Sequence, residues 1–503
     1  MGAETVLIVL VLVCGFYVAW NIGANDVANA MGTSVGSGAL SLRNAVILAA
    51  IFEFAGAFIV GSNVSKTVRK GIFDPTDLVA VFPTNAPLIL ACGMIAALLA
   101  AGTWLLIATY NSWPVSTTHS IVGAVVGFGC VALGVDGIAW DKVGVIASGW
   151  VISPLISGVI AYLVFGIILR TVFYKRDPVA AAKRVAPRLV YVLVFVMTGM
   201  TCYKGLKPLW GRWDMDPKDP MFMVSVALIA IVLGAVGFFI TKFFVKDLKS
   251  DRKENEAGNN PVLDADVSRS LAKTIKHLQR VRNNTDGEMA EKVSTLLNEA
   301  ELLQDVALKQ VTTNTDSADL QQVEKVFVVL QIFTACLVAF AHGSNDVANA
   351  IGPLSAAYQA VSEGVISSKS STPLWALLLG GVGIVIGLAT WGWKVIKTVG
   401  EKITELTPSR GFCAEFAAAI TILLASVLPF GLPISTTHTL VGAVLGVGLA
   451  RGLNALDLGT MRNIVAGWVI TIPAGAGLCV LFYVILKFIF VDSGWFVFGA
   501  AAA

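Results

Sequence analysis

The chain repeats itself. Gly23-Ala-Asn-Asp-Val-Ala-Asn-Ala-Met-Gly32 returns as Gly343-Ser-Asn-Asp-Val-Ala-Asn-Ala-Ile-Gly352, with two differences in ten positions. Pro114-Val-Ser-Thr-Thr-His119 returns as Pro433-Ile-Ser-Thr-Thr-His438, and the likeness runs on to Gly129 and Gly448. Asp346 lies 320 positions after Asp26 and Ser435 lies 319 after Ser116, so the offset is nearly constant. Weaker echoes pair Lys66-Thr67-Val68 with Lys397-Thr398-Val399, and Gly149-Trp150 with Gly467-Trp468. Four echoes in one order mark a duplicated unit.

The medium of that unit is a bilayer. Apolar residues make up 56% of the chain and charged residues 14%, against about 25% charged in soluble domains. Apolar segments are expected over 4–30 (broken near Asn21), 42–62, 87–109, 114–134, 143–170, 188–206 and 220–245. In the second copy they fall at 325–355, 374–396, 410–428, 433–450 and 463–490. Several reach the ~20 residues a spanning helix needs. Segments 87–109 and 114–134 are short and Gly-rich, and form either a re-entrant hairpin or two crossings; the parity is the same. Five other segments precede the second copy, so it is expected to be inverted relative to the first, with a site at the interface of the copies. The resulting division is a first membrane repeat over 1–245, a soluble insert over 246–323 and a second, inverted repeat over 324–503.

Lys175, Arg176, Lys183, Arg184 and Arg188 crowd one loop, and Lys246, Lys249, Arg252 and Lys253 open the insert. The excess of Lys and Arg places both on the cytoplasmic side of a plasma or bacterial inner membrane, with both termini outside. Lys66, Arg69 and Lys70 run against that assignment. The first apolar run, Val6–Val13, follows Glu4 and not a basic cluster, so it reads as a mature helix and not a cleaved signal. In the insert, Leu271, Ile275, Leu278 and Val281 share helical spacing, as do Val293, Leu296, Leu297, Ala300 and Leu303, with a turn at 283–287: a two-helix hairpin. Cys14, Cys92, Cys130, Cys202, Cys336, Cys413 and Cys479 stand singly, without zinc or disulfide spacing. A net charge of +3 gives no reason to expect a nucleic-acid partner.

Asp26, Glu53, Asp346 and Glu415 each interrupt an apolar stretch. A carboxylate at bilayer depth costs at least about 2.5 kcal/mol on insertion scales, which makes each a candidate functional residue, with a helix-capping role as the plainer alternative. Asp26 and Asn29 share one helix face, as do Asp346 and Asn349; Asn25 and Asn345 stand beside them. Gly23 and Gly343 are expected to let the backbone unwind and free carbonyl oxygens. Such oxygen-only sites suit sodium better than a transition metal. Glu53 and Glu415 are not repeat equivalents: aligning Gly56 with Gly387 puts Glu53 against Ile384. Each half supplies one such carboxylate for coupling.

Each Pro-x-Ser-Thr-Thr-His motif reads as an anion site. Ser116 and Ser435 sit where an N-cap belongs, and the free amides of the helix that follows favour negative charge. With Thr117, Thr118, Thr436 and Thr437 they offer hydroxyls to a tetrahedral oxyanion. His119 and His438 read as supporting residues more than ligands, and His342, which has no histidine counterpart in the first copy, as a residue that tunes the site or its protonation. Phosphate entry is opposed by about 2.3 kcal/mol per charge per 100 mV of inside-negative potential. Cations on the aspartates would lift the local repulsion and supply the drive, which favours co-transport over a passive pore.

At these motifs the sequence resembles the inorganic phosphate transporter family (PiT), over nearly all of the membrane-embedded chain. The resemblance implies an all-α integral membrane fold, an inverted-repeat secondary transporter with two re-entrant helical hairpins, assembled as a homodimer. It implies phosphate contacts from Ser116, Thr117, Thr118, Ser435, Thr436 and Thr437, and sodium sites beside Asp26, Asn29, Asp346 and Asn349. Ile51-Phe52-Glu53 and Ala414-Glu415-Phe416 resemble the sodium-coupled branch, so the expected activity is sodium-coupled phosphate symport. A proton-coupled phosphate or metal-phosphate permease and a sulfate transporter are the alternatives. No cofactor is implied beyond transported sodium ions. A membrane hydrolase using Ser116 and His119 is disfavoured by the duplication of the motif, and a receptor or scaffold by the buried carboxylates.

Overall fold

The computed structural model describes residues 3–61, 72–175, 177–200, 202, 219–246, 265–283, 287–315, 318–364, 366, 372–401, 406–427, 434–451 and 458–493. All the regular structure among them is helical. The first copy contains α1 (Ala3–Gly36), α2 (Leu42–Val60), a short α3 (Asp77–Val81), α4 (Ala86–Tyr110), α5 (Thr117–Leu133), α6 (Trp140–Ile168), α7 (Pro178–Met200) and α8 (Pro220–Val245). The insert supplies α9 (Ala265–Arg282) and α10 (Glu288–Thr315). The second copy contains α11 (Ala318–Glu363), α12 (Leu374–Glu401), α13 (Pro408–Val427), α14 (Thr436–Arg451) and α15 (Leu458–Lys487). Among the described residues nine helices are long and apolar enough to cross a bilayer. Of the segment expected over 188–206, residues 188–200 belong to α7, which begins earlier, carries Lys183, Arg184 and Arg188, and is not one of the nine; residues 201 and 203–206 lie outside the described residues.

The chain divides into two compact units. One comprises residues 1–165, 192–234 and 330–503 and contains both copies of the motifs; the other comprises 166–191 and 235–329. In the second, Ile275, Leu297 and Ala300 close the expected α9–α10 hairpin, with Leu278 packed against them. There too Lys183 Nζ donates to the Lys246 carbonyl oxygen (2.8 Å), so the two Lys/Arg-rich loops meet. Residues 66–70, 247–264 and 284–286, on which several expectations fall, lie outside the described residues.

Burial orders the membrane helices. The apolar window of α4 is 83% buried, against 22% for α8 and 28% for both α6 and α15. Helix α4 is thus a protein core, and the others present wide apolar faces outward, as lipid-facing helices must.

The copies interlock. Gly23 on α1 lies so close to α12 that a Cβ would overlap the Ile384 carbonyl, and Gly343 on α11 meets the Glu53 carbonyl of α2 in the same way. Gly387 abuts Trp20, and Gly56 abuts its counterpart Phe340. The register rises together on both pairs: Gly383, Gly387 and Gly392 meet Ala19, Trp20 and Val27, while Gly56 and Gly61 meet Phe340 and Val347. Each copy's first helix therefore runs parallel to the other copy's second. Glu53 and Ile384 occupy matching places, as the alignment of Gly56 with Gly387 requires.

One expectation is corrected here. Neither α1 near Asn21 nor α11 near Gly343 breaks; both run as continuous helices through the motif. Asn21 donates back to the Tyr17 carbonyl (2.9 Å) within the helix. The motif glycines are needed for close approach between helices, a role that helical dihedrals serve and an unwound segment would forfeit.

Candidate functional site

The two Ser-Thr-Thr tips and the two Asn-Asp motifs meet inside the first unit. Ser116, in an extended conformation (φ −93°, ψ 120°), caps α5 by accepting from the His119 backbone N–H (3.2 Å). Ser435 accepts from the His438 N–H in the same way (3.1 Å). Both hydroxyls thus satisfy one orphan amide of their helix, as their position before the apolar run dictates.

The threonines divide between two partners. Thr117 Oγ1 donates to Asp26 Oδ2, and Thr436 Oγ1 donates to Asp346 Oδ2 at 2.8 Å, each within its own copy. The next contacts cross between copies. Asn29 Nδ2 donates to Thr436 (3.3 Å) and Thr437 (2.9 Å), and Asn349 Nδ2 to Thr118 (3.3 Å). Thr437 in turn donates to the Val115 carbonyl oxygen (3.2 Å). Asn25 fastens the first tip, donating to Thr109 (3.0 Å) and the Trp113 carbonyl (3.1 Å) and accepting from the Val115 N–H (3.3 Å). Its counterpart Asn345 donates to Asp346 Oδ1 (2.9 Å) and reaches the Ile434 carbonyl (3.5 Å). Asp26 with Asn29, and Asp346 with Asn349, each reach both tips: the aspartate meets the tip of its own copy and the asparagine that of the other.

His342 stands among three carboxylates. Its Nε2 lies 2.7 Å from Asp346 Oδ2 and 4.0 Å from Asp26 Oδ2, and its Nδ1 lies 3.1 Å from Glu53 Oε1. The first copy has Ile22 at the matching position, so this part of the site is asymmetric. Asp26, His342 and Asp346 each offer an atom within 4.8 Å of the others, a spacing that fits a single cation. Asp26 Oδ1 and both oxygens of Glu53 are buried without a hydrogen-bond partner among the described residues. Buried anionic oxygens left so are costly, and a cation or a proton relieves them.

Glu415 belongs elsewhere. It accepts from Thr33 (2.6 Å), Ser34 (2.6 Å), Thr334 (2.5 Å) and Gln331 (3.2 Å), and shares none of these partners with the His342 cluster. Thr33 lies seven residues beyond Asp26 on α1, roughly 10 Å along a helix rising 1.5 Å per residue. The four donors around Glu415 carry no sequence signal of their own, being common residues on separate helices.

Sequence reasoning left one feature unassigned. Trp150, His119, His438 and Trp468 form a column of rings with successive centroid distances of 3.8, 4.3 and 3.6 Å. The repeated Gly-Trp pair was its signal.

Paired anion-suited tips, joined by hydroxyl bridges to paired aspartates in an all-helical membrane protein, describe a carrier of a small oxyanion. Comparison with known proteins agrees. A model of the Phosphate transporter family matches residues 22–479. A chloroplast inorganic phosphate transporter of Arabidopsis thaliana is 42% identical over 477 residues, covering 94% of this chain and 70% of its own. The solved structure of a sodium-dependent phosphate transporter is 36% identical and covers 96% of this chain and 100% of its own, with a TM-score of 0.73. These are transporters and not enzymes, and the chain belongs to the phosphate transporter family.

Proposed function

We propose that the chain is a sodium-coupled symporter of inorganic phosphate, in which the Ser-Thr-Thr tips bind phosphate and the Asp26–Asn29 and Asp346–Asn349 faces bind sodium. The observation that carries this is the threonine-to-aspartate hydrogen bond in each copy, Thr117 to Asp26 and Thr436 to Asp346. While the carboxylate holds the hydroxyl hydrogen, that hydroxyl cannot donate to phosphate. A cation on the carboxylate competes for its lone pairs and turns the hydroxyl toward the anion. Sodium then strengthens phosphate binding, and by linkage phosphate strengthens sodium binding by the same factor.

The same reading takes the copies as inverted repeats and the tips as those of re-entrant hairpins. Its support is the parallel pairing of α1 with α12 and of α2 with α11. The 37–41 turn between α1 and α2 makes those two antiparallel, so α1 and α11 run oppositely. It also takes the insert as cytoplasmic and the assembly as a homodimer.

The test is labelled phosphate uptake into proteoliposomes under an inward sodium gradient or an equal potassium gradient. Uptake that needs sodium, with a phosphate half-saturation that falls as sodium rises, is the expected result. Uptake indifferent to sodium overturns the coupling. Proton coupling is the second reading, favoured by the imidazole of His342 between Glu53, Asp346 and Asp26. It predicts uptake driven by a proton gradient in potassium medium.

A further inference from the structure

The ring column is unequal at its two ends, and the cause lies in the backbone. His119 and His438 each follow a Ser-Thr-Thr tip directly, and both are almost fully buried (2% and 3% exposed). They stack on one another across the interface of the copies, with Trp150 of α6 on the outer face of His119 and Trp468 of α15 on that of His438. Four ring nitrogens in the column, those of the two indoles together with His119 Nδ1 and His438 Nε2, have no hydrogen-bond partner among the described residues. The column is held by its faces and by a polar tie: His438 Nδ1 lies 3.3 Å from the Trp150 carbonyl oxygen. A carbonyl only accepts, so Nδ1 carries the hydrogen and donates.

That carbonyl is free because Pro154, inside α6, has no N–H to donate four residues back. The other end is built differently. Pro473 lies inside α15 five residues after Trp468, so it releases the carbonyl of Val469 and not that of Trp468. His119 Nδ1 accordingly lacks the tie that His438 Nδ1 has.

We propose that Trp150 is a positioning residue for phosphate: its ring holds His119 of one tip, its carbonyl holds His438 of the other, and together they set the spacing of the two Ser-Thr-Thr tips. Ser116 and Ser435 bond the backbone amides of these same histidines, so displacement of either imidazole displaces the cap beside it. This rests on the reading that both tips bind phosphate. Pro154 serves the same end, being the residue that makes the Trp150 carbonyl available.

Full-length variants in proteoliposomes test the proposal, with phosphate and sodium half-saturation measured separately from maximal rate. Trp150→Ala removes the ring from His119, which has no carbonyl tie of its own at Nδ1, and is expected to raise the phosphate half-saturation about tenfold; Trp468→Ala raises it less, since His438 keeps its tie to the Trp150 carbonyl. Trp150→Phe, which keeps a ring face against His119, stays within about twofold. Pro154→Ala restores an N–H that competes for the Trp150 carbonyl. It should raise the phosphate half-saturation about threefold although the helix itself gains a hydrogen bond, while Pro473→Ala does not. A merely structural role predicts the opposite for Pro154→Ala. The proposal falls if Pro154→Ala and Trp150→Phe both leave phosphate half-saturation at the native value while Trp150→Ala alters only maximal rate or yield. It falls equally if Phe behaves as Ala. Thr117→Ala separates this from failure of the underlying reading: an unchanged phosphate half-saturation in that variant sinks the tip assignment itself.

Discussion

Glu53 and Glu415 are both fully buried in helical membrane protein, yet the chain handles their charge in opposite ways. Glu415 is closed off by four neutral donors from α1 and α11. A carboxylate so surrounded is stabilised without a counterion. Among the described residues no hydroxyl or amide donates to Glu53; its Oε1 lies 3.1 Å from Nδ1 of the His342 imidazole, which in turn touches Asp346. Its charge is balanced only when something positive is present. A cluster of the second kind can respond to an ion; a cage of the first kind is complete without one.

The largest effects should therefore come from the His342 cluster. Asp346→Asn removes the charge nearest to His342 and weakens the acceptor of Thr436 in one step, and Asp26→Asn does the same for Thr117. Each is expected to lower coupled phosphate uptake at least a hundredfold with the protein still inserted, measured as uptake per transporter in proteoliposomes. Normal uptake in either variant would remove the aspartates from the ion site.

The glutamates themselves provide the sharper contrast. Glu53→Gln should leave the fold intact and cut sodium-dependent uptake at least tenfold. Glu415→Gln turns an N–H₂ against a set of donors, at a cost of about 1–3 kcal/mol for the group left unpaired, so it should lower the melting temperature in detergent. If instead Glu415→Gln keeps its melting temperature and shifts the sodium half-saturation, the cage is itself an ion site and the two glutamates act alike.

Much of this was legible in the residues. The duplication announced two equivalent halves, and Gly56 against Gly387 placed Glu53 opposite Ile384, which the glycine contacts reproduce. Three-residue spacing put Asp26 with Asn29, and the serine caps lie where the Pro-x-Ser pattern sets them. What was not legible depends on a third dimension. Gly23 could serve unwinding or close packing, and only the neighbouring α12 decides between them. The partners of Glu415 are two neighbours on α1, Thr33 and Ser34, and a three-residue pair on α11, Gln331 and Thr334, and no spacing joins the one pair to the other or either to Glu415. His342 shows nothing in sequence of the carboxylates on three helices that surround it.

The smallest expected effect tests how equal the halves are. Asn29 spans both threonines of the second tip, at 3.3 and 2.9 Å, whereas Asn349 reaches only Thr118 of the first, at 3.3 Å. A neutral hydrogen bond contributes about 1 kcal/mol net, and 1.4 kcal/mol is tenfold in affinity. Loss of one such bond should raise the phosphate half-saturation roughly fivefold, and loss of a pair more. Asn29→Ala should therefore weaken phosphate more than Asn349→Ala, with both variants still transporting at saturating phosphate. The order matters more than the size. Equal effects would mean that the tips become alike once phosphate bridges them, so that the inequality belongs to the ligand-free arrangement. A larger effect of Asn349→Ala would place the dominant phosphate contacts on the first tip, where Asn25 holds the loop at Thr109, Trp113 and Val115.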